Sequence, residues 1–326
     1  MYETPRALID NWLVTIYDPS TISANFHSLE VAFILGFVLT LRHALCERKR
    51  GNLGGLVLWL TALMYGIWME LLTYNTIDNF SHAQFTIQFY YKQLPFYVVL
   101  LYPTFIYAAV LAARRLKVGA VATFFTAGLL AMMIDVPFDI MGPDCGWWWW
   151  HEGGEDPYGL VAHRWLGVPV SSYCWHLLFN GSQGSVTSRF SEGLQARFGG
   201  RGLLATLAGL TPATMILGGL GLLMGVAVMM PFHAFRALGF TDGVFTATLL
   251  VVASLVMLLS SNRPNTEPAA RGVLVWVLLW YIYNLILGCV VWSGGEVPNW
   301  ELKAMVIGFV AIVAMRAHTW IHLRRN

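Results

Sequence analysis

The chain has 326 residues, 57% of them hydrophobic and only 12% charged, with 14 Trp, 31 Gly and a net charge of +2. That balance excludes an ordinary soluble domain. Its apolar runs are long enough for helices to cross a bilayer and lack strand-like alternation, so the expected fold is all-α, a polytopic membrane bundle.

Taken in order, residues 1–26 lack a basic flank before a short apolar core and are not expected to be a cleaved signal; Trp12, Leu13, Ile16 and Tyr17 suggest an interfacial segment. About nine spans follow, near 27–45, 53–74, 93–113, 118–141, 167–183, 203–230, 243–260, 272–292 and 302–320, forming one transmembrane domain over 1–326. The aromatic connection 75–92 is expected along the membrane surface. The fifth span is the weakest, being short and rich in Gly, Ser and Asn. The run Gly218 to Gly225 marks span six as closely packed.

Charge orients the bundle. With the N-terminus outside and the C-terminus inside, 15 of the 20 basic residues face inward, among them Arg48, Lys49, Arg114, Arg115 and Arg197. The acids do the reverse: only Glu47, Glu192 and Glu267 of the 18 lie inside. Glu30, Glu70, Asp135 and Asp139 therefore sit in the outer ends of three helices at similar depth.

Chemistry concentrates between Asp135 and His176. Asp135 and Asp139 are spaced i,i+4 and share a helix face around Pro137. Ionising both in a dry site is costly, so the pair is expected to share about one proton and supply a carboxylic acid. Glu70 interrupts a helix that is apolar for four turns, and His176 lies deep in span five after Ser172 and Tyr173. A Trp-rich outer loop, 142–166, carries Trp147, Trp148, Trp149 and Trp150. These fit an interfacial belt or the wall of a pocket for an apolar or cationic intermediate.

The same loop holds His151, Glu152, Glu155, Asp156 and His163, but H-E-G-G-E lacks the second His at i+4 of a zinc-protease helix, so no metal is expected there. Cys46, Cys145, Cys174 and Cys289 are scattered and form no framework. Haem ligation needs paired histidines at matching depth, and only His176 is read as deep. No nucleotide loop or nucleic-acid signature is present.

The order of these features resembles the bacterial and archaeal membrane carotenoid 1,2-hydratases over residues 60–180. Glu70 precedes Gln93-Leu94-Pro95, Asp135 and Asp139 lead to Gly146-Trp147-Trp148-Trp149, and Gly153-Gly154-Glu155-Asp156 is followed by Gly167-Val168-Pro169. Ser172-Tyr173 and Trp175-His176 stand where that family has Asn-Phe and Gly-Trp. The W-W-x-W-H and V-P-x-x-S-Y-x-x-H-x-x-F patterns, the latter from Val168 to Phe179, are closer to an uncharacterised family of eukaryotic multi-spanning proteins.

The hydratase resemblance implies a cofactor-free membrane enzyme that protonates an alkene of an isoprenoid or other lipid, with hydration or cyclisation following. Asp135 or Asp139 would be the acid and Glu70 or His176 the proton acceptor. Trp147, Trp148, Trp149, Trp150, His151, Ser172 and Tyr173 would bind the substrate. A proton-coupled transporter and a non-catalytic scaffold remain the alternatives on the residues alone.

Overall fold

The computed structural model describes residues 5–77, 79–151, 163–260, 270–293 and 297–323. Nine long helices dominate these: α1 (Ala24–Lys49), α2 (Gly54–Leu72), α3 (Phe96–Arg115), α4 (Ala120–Asp144), α5 (Val170–Phe198), α6 (Leu203–Ala237), α7 (Asp242–Ser260), α8 (Arg271–Trp292) and α9 (Trp300–Leu323). Eight of them, all but α5, are long and apolar enough to cross a membrane. Rows of large apolar side chains stay exposed on the outer helices, such as Leu255, Leu258 and Leu259 on α7 and Phe309 and Ile312 on α9. Water would not tolerate so broad an apolar surface; lipid requires it. The chain is a multi-pass integral membrane protein.

The exception, α5, explains itself by position. It runs well past the expected 167–183, and its polar residues Asn180, Ser182, Gln183 and Thr187 are all buried. Neighbouring helices shield them, so low hydropathy carries no penalty there. Close approach makes this possible. A Cβ at Gly128 of α4 would collide with the Leu177 carbonyl of α5, and one at Gly181 would lie 2.7 Å from the Phe124 carbonyl. On the other side Gly221 and Gly225 of α6 admit Gln183 and Phe179. Small residues let backbones meet, and packing supplies association where no water drives it.

α4 continues through Pro137, which leaves the Met133 carbonyl without its helical donor. On the adjacent carbonyl, Ile134, the Trp280 indole of α8 donates a 2.9 Å hydrogen bond. Around that contact Phe33, Phe105, Phe138 and Trp280 interlock from α1, α3, α4 and α8 with ring centroids 5.1–6.2 Å apart. Such pairs each contribute about 0.5–1.5 kcal/mol beyond burial. They form the floor on which the site rests.

The face that carries the segments expected along the membrane surface is built from short strands. Within residues 5–26, β1 (Ala7–Asp10) and β2 (Val14–Tyr17) form a hairpin, extended by β4 (Ile87–Phe89) and β5 (Leu94–Pro95) into a four-stranded antiparallel sheet. The connection after α2 makes a π-helical turn over Thr73–Ile77 and then β3 (Phe80–His82). β3 pairs with β6 (Trp148–Trp150), matching Phe80 to Trp150 and His82 to Trp148. β7 (Arg164–Trp165) and β8 (Val168–Pro169) pair just before α5. Strand pairing satisfies the backbone of segments that composition marks only as aromatic.

Candidate functional site

Beneath β3 and β6 lies a cavity of about 120 Å³ between α2, α3, α4 and α5. Its apolar walls include Val98, Leu101, Phe105, Phe138, Trp148 and Trp150. Into it project Glu70 from α2, Asp135 and Asp139 from α4, and Ser172 and His176 from α5. No Lys or Arg is among the described residues that line it.

The two aspartates share the helix face that their spacing predicts, and α5 sets His176 against both. Its Nε2 lies 2.6 Å from Asp135 Oδ2 and 3.3 Å from Asp139 Oδ2. Ser172, one turn earlier, donates a 2.7 Å hydrogen bond to Asp139 Oδ2. The carboxylates are enclosed, with side chains 3% and 8% exposed, whereas the imidazole is 25% exposed. All three line the cavity, and His176 is the most exposed of them. The short contact to Asp135 is not aligned as a hydrogen bond, and Asp135 Oδ2 has no donor directed at it. The expected carboxyl pair thus has a third member, the His176 imidazole, facing both aspartates.

Glu70 is held differently. It is 5% exposed, Tyr102 donates to its Oε1 at 2.5 Å, and Oε2 has no hydrogen-bond partner. No Lys or Arg lines the cavity with it among the described residues. Beside it on the roof is His82, whose Nδ1 is 3.0 Å from the Tyr97 hydroxyl. Burial holds the His82 imidazole down to about 3, so it is neutral near pH 7. Tyr102 and His82 carry no sequence signal as site residues: both sit in aromatic stretches and meet their partners only through the fold.

Asp135, Asp139 and His176 also form a group of ligand atoms all within 4.8 Å of one another, the spacing of a metal site. Residues 7–287 match the family model described as a domain of unknown function, DUF7802. The chain belongs to the DUF7802 family. This supports the resemblance to an uncharacterised family, and nothing in it ties the DUF7802 chain to carotenoid hydratases. No curated protein and no solved structure matches it significantly. The matched span of DUF7802 includes every residue that lines the cavity.

Within the DUF7802 chain the other expected substrate contacts divide. Trp148, Trp150 and Ser172 line the cavity; Trp147, Trp149, Tyr173 and His151 do not. Trp147 is fully buried and its indole donates to Asn25 Oδ1 at 2.8 Å, so it ties the loop to α1. Trp149 points outward, 52% exposed, because a strand turns alternate side chains to opposite faces. The Tyr173 hydroxyl donates to the Trp165 carbonyl at 3.0 Å, and His151 Nε2 meets Ser81 Oγ at 2.7 Å. Glu30 is off the cavity, accepting from Thr86 N and Oγ1 at 2.9 and 2.7 Å and facing His27.

His163 faces Asp242 at 3.3 Å, while Glu152, Glu155 and Asp156 lie outside the described residues. His176 is not the one deep histidine. His318 and His322, i,i+4 on α9, are 0% and 2% exposed with rings stacked 6.0 Å apart. Their place at a helix end suggests the headgroup layer, but neighbouring helices enclose them.

Proposed function

We propose that this chain is an integral-membrane enzyme acting on an alkene of an isoprenoid or other lipid held in the α2–α5 cavity. The reading rests on one observation: carboxyls and an imidazole face a cavity whose walls are aromatic and aliphatic and whose described lining has no cationic side chain. An apolar chain fits such walls, and indole faces stabilise a carbocation. Roles follow from partners. Both α4 carboxylates are engaged by His176, so Glu70 is the carboxylic acid left to donate a proton.

The Glu70 proton adds to one alkene carbon and the π pair forms the new C–H bond, leaving a cation on the other carbon. Water adds its oxygen there and loses a proton to the His176 cluster. That proton returns to Glu70 through the cavity water, so the net change is addition of H2O. Where an internal double bond attacks the cation instead, its π pair closes a ring and leaves a cation on its other carbon. That cation loses an adjacent proton to the His176 cluster, so the net change is isomerisation to a cyclic alkene. The bundle around this site is proposed to have nine crossings, α5 included, with the N-terminus outside; the supporting facts are the length of α5 and the 15-to-5 split of basic residues.

The test is deuterium incorporation from D2O into an acyclic isoprenoid by the full chain in nanodiscs. Glu70→Gln is expected to lower the rate by about 10²-fold or more, as loss of a general acid does, while Glu30→Gln keeps the rate. Wild-type protein that binds the isoprenoid without exchange overturns the enzyme reading in favour of a proton-coupled carrier or a scaffold. Full exchange in Glu70→Gln removes Glu70 from the role.

A further inference from the structure

The three groups Asp135, Asp139 and His176 make an odd ion triad. One imidazole nitrogen faces two carboxylate oxygens, at 2.6 and 3.3 Å, although a single N–H can be directed at only one. The shorter contact fails as a hydrogen bond, and Asp135 Oδ2 is left buried with no donor although its residue is 2% exposed. These atoms converge on a common point more than they bond to each other. Buried polar atoms without partners call for a missing one.

We propose that Asp135, Asp139 and His176 bind one divalent transition-metal ion of the Zn2+ type, facing the cavity with a position open for water. This rests on the reading of the cavity as a water-adding site and assigns the means by which water is activated there. The donor set, two carboxylate oxygens and one imidazole nitrogen, is that of an open catalytic zinc site with three protein ligands. Ligands about 2.0 Å from a tetrahedral ion stand roughly 3.3 Å apart. The Asp139–His176 separation already equals that edge, and the Asp135 contact needs to widen by about 0.7 Å from its 2.6 Å.

Rigidity and charge agree with this. The two aspartates are one turn apart on α4, and α5 is locked against α4 at Gly128 and Gly181. Sites built on packed helices hold their geometry better than sites on loops. Ser172 orients Asp139 through its 2.7 Å hydrogen bond, the outer support that metal-binding carboxylates usually have. Three carboxyls and two imidazoles, His82 and His176, but no Lys or Arg are among the described lining residues, so a divalent cation would replace the His176 proton as the positive charge between the two aspartates. Bound water would then ionise near neutral pH.

The experiment uses the full chain in nanodiscs, stripped with a chelator and reloaded with Zn2+ or Co2+. Wild type is expected to take up about one equivalent and to give the visible spectrum of four-coordinate Co2+. Asp139→Asn and His176→Gln are expected to lose the bound ion, and Ser172→Ala to bind it about 10–100-fold more weakly. Glu70→Gln should keep the ion while losing deuterium exchange. Folding of each variant is checked by tryptophan fluorescence, and the wild-type titration stands whichever variants fail to fold. Substoichiometric uptake by reloaded wild type, or full uptake by Asp139→Asn, overturns the metal site. Exchange that persists without metal leaves the enzyme reading intact, whereas a bound ion without exchange sinks that reading and keeps the site.

Discussion

Replacing His176 by Leu tests whether the cluster is a coupled electrostatic unit. At the observed separations of 2.6 and 3.3 Å, an imidazolium attracts the two carboxylates by about 6 and 5 kcal/mol at an effective dielectric of 20. Much of that is offset by the cost of taking the charges out of water. Removing the imidazole leaves Asp135 and Asp139 enclosed, with only Ser172 donating to one of them. Breaking a buried ion pair from one side typically costs about 3–5 kcal/mol, and His176→Leu in the chelator-treated protein is expected in that range. Asp135→Asn made in the His176→Leu background should cost far less than the sum of the two changes, giving a coupling energy of about 2 kcal/mol or more. Equilibrium unfolding in mixed micelles, followed by tryptophan fluorescence across the four proteins of the cycle, reads both quantities. A single variant within about 0.5 kcal/mol of wild type, with additive changes, would refute the coupled cluster and show three separately hydrated groups.

Orientation can be checked by single cysteines with a membrane-impermeant maleimide: the exposed positions 49 and 197 should react from one side and the exposed position 301 from the other. Labelling of 49 and 197 from opposite sides would remove the nine-crossing arrangement. Glu30→Ala should lower stability by about 1–3 kcal/mol, because Thr86 N and Oγ1 lose their acceptor. Isoprenoid binding, measured by quenching of tryptophan fluorescence, should be unchanged; a large loss of binding would bring Glu30 into the site.

Apolar run length located most helices because it measures what lipid accepts, and the i,i+4 spacing of Asp135 and Asp139 was sufficient to put both on one face. Matching depth grouped Glu30 and Glu70 with the aspartates, yet only Glu70 lines their cavity, because Glu30 is turned to Thr86. What composition does not carry is who shields whom. α5 reads as weak and short because Asn180, Ser182 and Gln183 lower its hydropathy, yet α4 and α6 hide them. Four tryptophans in a row share one composition but have different tasks, since strand alternation and a single hydrogen bond to Asn25 decide which face inward. Tyr102 reaches Glu70 across 32 positions of chain, a distance no local pattern spans.

The polar fifth helix bears on how the protein is made. A segment this hydrophilic gains little on leaving water for hydrocarbon alone, whereas α4 before it and α6 after it can each insert on their own hydrophobicity. In the proposed nine-crossing arrangement α5 would therefore enter the bilayer only with α4 and α6 there to receive it. Because α4 and α5 carry Asp135, Asp139, Ser172 and His176, that arrangement would make insertion of α5 and completion of the cluster a single event.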